Sequence, residues 1–243
     1  MNTSVRACLI GLFGLFGLMC AGAAPAGAFK ISPLRINLSS KVPSAVLTVH
    51  NAGTEASVMQ LSVMAWSQTA DEDIYLPSQE VLVTPPIFTV PPDGVQIVRL
   101  ALRRPPDARR EIAYRLFLQE VPTTIAGEVR VALRFALPVF VAPSGKAPAP
   151  ARTWRMVAKT PGAWQIEALN QGNAHVQVAG FTLSGANGTL LAQHRGMQYL
   201  LPDQARQWQV TPASAASAPP GTRVTIVAQT DAGEQHAEAP VDP

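Results

Sequence analysis

Gly127 to Pro143 reads GEVRVALRFALPVFVAP, with apolar side chains on every second position: Val129, Val131, Leu133, Phe135 and Leu137. Arg130, Ala132, Arg134 and Ala136 lie between them. A period of two over this length is a β-strand with one apolar face. The run exceeds the usual strand of about 5–6 residues. Pro138 cannot donate to a ladder, which predicts the strand's end there. Such a strand either lies on its own core or offers its apolar row to another chain.

Outward from this run, short alternating stretches recur at Ala45–His50, Val58–Trp66, Val95–Leu102, Tyr114–Val121, Trp164–Leu169, Val176–Leu183 and Arg223–Ala228. Turn formers separate them: Asn51-Ala-Gly, Pro91-Pro-Asp-Gly, Asn170-Gln-Gly-Asn and Gly185-Ala-Asn-Gly. No segment shows a capped helical stripe. This spacing predicts an all-β protein built from sandwiches. The composition changes at Ala142–Arg152, APSGKAPAPAR, where Pro and small residues cannot form a core strand. A boundary there leaves an N-terminal domain at 29–142 and a smaller C-terminal one at 153–243, with 143–152 as the linker. Val46–Gly53 and Trp164–Gly172 share one logic, a strand closing on an Asn turn with Gly two residues on. Thr211–Gly221 reads as a flexible loop, and the polar tail after Asp231 as a frayed end.

Residues 1–28 have the make-up of a secretory signal peptide: Arg6, the apolar stretch Leu9–Met19, and Ala26-Gly27-Ala28 as a small-x-small site before Phe29. The apolar stretch is short for a membrane span of about 20 residues. The only cysteines, Cys8 and Cys20, fall inside this segment. Cleavage leaves a chain without disulfides, Cys ligands or a Cys nucleophile, bound for an oxidising compartment. Setting Arg6 aside, 18 Lys and Arg stand against 16 Asp and Glu, a balance that gives no support for nucleic-acid binding.

Chemistry is sparse. His50, His175, His194 and His236 form no metal-ligand spacing, and His50 and His175 read as half-packed residues at strand ends. Asp71-Glu72-Asp73 reads as a solvated turn. Neither a nucleophile elbow nor a phosphate loop occurs. No enzyme, metal or cofactor is expected. Three arginines fall inside β runs: Arg35 in Pro33–Leu38, Arg99 in Val98–Leu100 and Arg115 in Tyr114–Leu118. Arg99 reads as structural. For Arg35 and Arg115, carboxylate binding competes with a structural ion pair, because the guanidinium fork matches a carboxylate.

Several motifs, taken in order, resemble the periplasmic pilus (fimbrial) chaperones of the PapD-like family. They are Ile31-Ser-Pro-Leu-Arg-Ile36, Leu47-Thr-Val-His-Asn51, Val83-Thr-Pro-Pro86 with Val90-Pro-Pro-Asp-Gly94 and Val98-Arg-Leu100, and Tyr114–Pro122. The resemblance covers the N-terminal domain; the C-terminal half matches in length and β character. It implies two immunoglobulin-like sandwiches in an L or boomerang arrangement. It also implies a periplasmic chaperone that binds pilin subunits by donor-strand complementation and passes them to an outer-membrane usher. Val129, Val131, Leu133 and Phe135 would be the donor row. Arg35 matches the family's cleft arginine, but the lysine usual near the end of the donor strand is replaced by Pro138. Arg115 resembles the added strand arginine of the archaic, Csu-type branch (the spore-coat-U-associated one), which makes it the first candidate for the subunit's terminal carboxylate and Arg35 the second. The family's interdomain arginine is Ala142 here, leaving its acidic partner, Glu111, without it. The alternative is a secreted two-sandwich structural or adhesive protein; a pilin itself is disfavoured because Phe29–Leu38 merges into the first strand.

Overall fold

The structure, a computed structural model, describes residues 29–122, 131–147, 149, 151–160, 163–213 and 218–242. The signal-peptide reading, with Cys8 and Cys20, and Val129 lie outside them. The described residues contain seventeen strands and no helix. The first ten are β1 (Phe29–Ser32), β2 (Ile36–Leu38), β3 (Ser44–Asn51), β4 (Ser57–Gln68), β5 (Asp73–Pro77), β6 (Val81–Thr84), β7 (Ile87–Val90), β8 (Val95–Leu102), β9 (Ile112–Val121) and β10 (Arg134–Val141). The others are β11 (Arg152–Thr160), β12 (Ala163–Asn170), β13 (Val176–Ser184), β14 (Leu190–Leu200), β15 (Ala205–Val210), β16 (Arg223–Thr230) and β17 (Gly233–Asp242).

Two sheets form the first sandwich. One runs β1-β3-β8-β6; the other runs β2-β10-β9-β4-β5, with β7 also on β4. Their facing rows meet in one core: Leu47 and Val49 from β3, Val98 and Leu100 from β8, Met59, Leu61 and Val63 from β4, Tyr114, Leu116 and Leu118 from β9. Each fully buried aliphatic side chain there contributes about 1.5–3 kcal/mol. The remaining strands form a sheet in the order β14-β13-β16-β17-β11-β12-β15, whose two arms share a second core built on Trp154, Trp164, Phe181 and Trp208. The architecture is that of two immunoglobulin-like sandwiches.

Asn51 and Asn170 give the shared turn logic a common geometry. Each is buried, donates from Nδ2 to two carbonyls (Glu55 and Val90; Ala174 and Leu200), and accepts at Oδ1 from the Gly two residues on. A side chain that satisfies the backbone of a turn and of a neighbouring strand together fixes the strand end to the core.

Three expectations change. The long strand does not stop at Pro138, because β10 continues to Val141. Glu120 N–H donates to the Leu133 carbonyl, and Ala142 N–H donates to the Leu38 carbonyl. Odd-numbered backbone groups of β10 therefore face β9 and even-numbered ones face away, so the missing N–H of Pro138 interrupts no β9 bond. Second, Arg35 is not in a strand: Pro33-Leu34-Arg35 separates β1, which pairs with β3, from β2, which pairs in parallel with Val139–Val141 of β10. Third, the tail after Asp231 is β17, antiparallel to β16 and parallel to β11. Ala237, Ala239 and Val241 face the core, and residues this small carry too little apolar signal to read as a strand.

Candidate functional site

The apolar row of residues 127–143 divides in two. Leu137, Val139 and Val141 are core. Upstream the same face leaves the core: Phe135 is half-buried, Leu133 half-buried and ahead of the strand, Val131 83 % exposed. Phe135 meets the ring of Phe29 edge to face at 6.3 Å, joining the open end of β10 to β1. On the side away from β9, β10 is paired only from Val139 onward, by β2. Among the described residues, no strand pairs with Arg134–Pro138 on that side. An exposed edge with an apolar row beside it is a template for another chain.

Arg115 lies on the outer face of the same sheet. Its neighbours across the ladder are Pro138 on β10 and Met64 on β4. The face is set by parity: Tyr114, Leu116 and Leu118 point into the core, so Arg115 and Phe117 point out. The guanidinium carbon sits 3.8 Å from the centroid of the Trp66 ring and 5.7 Å from that of Tyr199, which belongs to β14 of the second sandwich. Its Nε is buried and unpartnered, and no carboxylate among the described residues pairs with it. The aromatic faces attract the cation, and Arg115 also acts on the Tyr75 phenol by a hydrogen bond and by charge. Burial pushes the Tyr199 phenol up, while the charges of Arg35 and Arg115 pull against the rise. Both sequence candidates for the carboxylate thus act on one tyrosine.

Arg35, outside any strand, donates from Nη1 to Oδ2 of Asp231 at 3.2 Å. His175 stands behind this contact, with Nε2 4.0 Å from the same oxygen and Nδ1 2.6 Å from Oε1 of Glu111. Its ring stacks on Phe140 at 3.5 Å between centroids. His175 does stand half-buried at a strand end, as its sequence position suggests, but it is not bland: it links the two sandwiches through Glu111 and Phe140. Glu111, which lacks an arginine at Ala142, has found this imidazole instead. Asp73 is likewise no solvated residue: Arg206 of β15 donates to it at 3.2 Å and Gln68 at 2.8 Å. Burial alone would raise the Asp73 carboxyl, but the Gln68 hydrogen bond and the Arg206 charge help hold it below its ordinary value. Trp66, Ala113, Phe140, Tyr199 and Leu201 form a small apolar cluster between the sandwiches. Arg99 is exposed on β8, apart from this region.

Trp66, Tyr199, Asp231 and His175 were not among the sequence candidates. Trp66 had a signal: it breaks the odd-numbered parity of Met59, Leu61 and Val63 and so had to face away from their core. Asp231 had none, since it meets Arg35 across 196 residues.

Residues 28–147 match the family described as pili and flagellar-assembly chaperone, PapD N-terminal domain. No curated protein sequence matches at a significant level. Three solved structures are similar in fold. A chain of the CsuC–CsuE chaperone–tip adhesion subunit pre-assembly complex, from archaic chaperone-usher Csu pili of Acinetobacter baumannii, aligns with TM-score 0.67 and 17 % identity over 89 % of this chain and 100 % of its own. The YadV chaperone aligns with TM-score 0.60 and 18 % identity over 86 % and 98 %. A chain of the Salmonella enterica SafA pilin–SafB chaperone complex aligns with TM-score 0.59 and 16 % identity over 89 % and 97 %.

Proposed function

Since the chain belongs to the PapD-like family of pilus chaperones, we propose that it binds pilin subunits in the periplasm by donating a strand and delivers them to an outer-membrane usher. The strand comes from the N-terminal domain, taken as residues 29–142, and residues 129–135 supply its apolar row. Val129, Val131, Leu133 and Phe135 enter the subunit's groove, and Leu137, Val139 and Val141 hold the other end of the same row in the chaperone's core. The observation that carries this reading is that division, a row buried at one end and uncovered at the other, on an open strand edge.

The lane beside β10 supports a stopping point for the partner strand. From Val139 onward β2 fills it, running parallel to β10. A parallel strand entering the lane upstream runs into Arg35, the residue before β2, at the level of Pro138. Pro138 has no N–H to extend the ladder, and Arg115 is its neighbour across the sheet. A terminal carboxylate stopping there is held between Arg35, at the end of the lane, and Arg115, the leading candidate because no carboxylate among the described residues pairs with it. The positive charge absent at Pro138 is supplied one strand sideways by Arg115. Charge-assisted hydrogen bonds to such a fork are about twice as strong as neutral ones.

The test is co-expression with a pilin subunit encoded beside this chain, followed by purification. A one-to-one complex is expected. Equal recovery of soluble subunit without the chain would refute the chaperone reading; subunit release on adding usher-containing membranes tests the delivery step.

A further inference from the structure

Arg35, at the head of the lane, is paired with an acid, Asp231. Asp231 lies in the turn between β16 and β17. The turn is stapled to β13: Gln177 N–H donates to Asp231 Oδ1 at 3.0 Å, and Asp231 N–H donates to the Gln177 carbonyl at 3.1 Å. This leaves Oδ2 directed at Arg35, 3.2 Å away. The contact is a single hydrogen bond between side chains 40 % and 30 % exposed, a kind of pair worth little in water. Arg152 also acts on Asp231 by charge, and one Arg152 nitrogen is buried without a partner. Arg152 is thus a second cation acting on Asp231 besides Arg35.

We propose that Asp231 is an internal stand-in for the carboxylate this site receives. It holds Arg35 while the lane is empty and gives it up when a partner's terminal carboxylate arrives. This rests on the proposed strand donation and anchor. The incoming group wins the exchange because it meets Arg35 and Arg115 together, whereas of these two arginines Asp231 pairs with Arg35 only. The exchange breaks the Arg35–Asp231 link between the sandwiches, so capture of a carboxylate alters the contact between domains as well as filling the site.

The decisive variant is Asp231→Asn, which keeps an oxygen for Gln177 and removes the charge facing Arg35. The probe is a synthetic ten-residue peptide of alternating apolar residues, prepared with a free C-terminal carboxylate and as the C-terminal amide, titrated calorimetrically into the full chain. The wild type should prefer the acid peptide. Asp231→Asn should bind the acid about two- to five-fold more tightly than wild type, the range of one exposed ion pair, and the amide equally. The gain should vanish when Arg35→Ala is added, since the competition runs through Arg35. If the wild type prefers the acid but Asp231→Asn binds it no better, Asp231 is a structural link and the stand-in is refuted, with the anchor intact. If the wild type does not distinguish acid from amide, or binds neither, the anchor reading fails and takes this proposal with it.

Discussion

Replacing Arg115 with Ala separates binding from stability in a way a structural arginine would not. In the free chain the guanidinium gains from Trp66, 3.8 Å from its ring centroid; a partly desolvated cation–π contact is worth about 0.5–2 kcal/mol. Against this stands a buried Nε with no partner, and an unsatisfied buried donor costs about 1–3 kcal/mol. The two nearly cancel, so Arg115→Ala should change the unfolding free energy by no more than about 1 kcal/mol. In the complex, by contrast, a hydrogen bond to a charged group is worth about 1.5–3 kcal/mol. Its loss should weaken subunit capture about ten- to 150-fold. The assay is paired: urea unfolding of the free variant, and calorimetric titration with a purified subunit in a strand-exchangeable form. Arg99→Ala, on the exposed face of β8, is the control and should leave both unchanged. Capture by Arg115→Ala within two-fold of wild type would remove Arg115 from the site, and Arg35 would take its place. A loss of several kcal/mol in stability would show that the guanidinium is a structural element.

Leu133→Glu should abolish capture while shifting stability by about 0.5 kcal/mol or less, because Leu133 lies ahead of β10 and outside the core. Leu137→Ala, four residues on in the same row, should instead destabilise the free chain by about 2–5 kcal/mol in urea unfolding; the reverse pattern would place the donor row on the wrong end. His175→Ala removes the ring that pairs with nearly buried Glu111 and stacks on Phe140. It should cost about 2–3 kcal/mol, read as earlier separation of the two sandwiches in limited proteolysis; unchanged proteolysis would count against the link. Asp73→Asn tests the Arg206 pair. The folded carboxyl is held below its ordinary value, so its stabilisation is complete above the unfolded Asp range and is lost as pH falls through the folded value. The wild type should exceed the variant by about 1 kcal/mol at pH 7, and the gap should close below about pH 4; a gap independent of pH would exclude the charge as its source.

Local pleat and turn chemistry made much of this protein legible in its sequence. Alternation at Val58–Trp66, Val95–Leu102 and Val176–Leu183 predicts strands that form, because a half-buried strand writes its two faces into every second residue. The ordered motifs from Ile31 to Pro122 pointed to the family for the same reason, each being a local turn or strand signature. β17 escaped because alanines facing a core look like a polar tail's spacers. Pro138 misled because a missing N–H matters only on the side where a neighbour bonds, and sequence does not say which side that is. The row from Val129 to Val141 reads as one apolar face throughout, but only the paired sheets decide that Leu137 is core and Val131 is not. The candidate site was half legible: Arg115 and Arg35 stood out as charges in segments that read as β runs, although only Arg115 lies in a strand. What surrounds them came from far along the chain, Tyr199 over Arg115, Asp231 against Arg35, His175 against Glu111. Docking of the second sandwich brings these groups together, and a contact made by docking leaves no periodic trace in either segment that makes it.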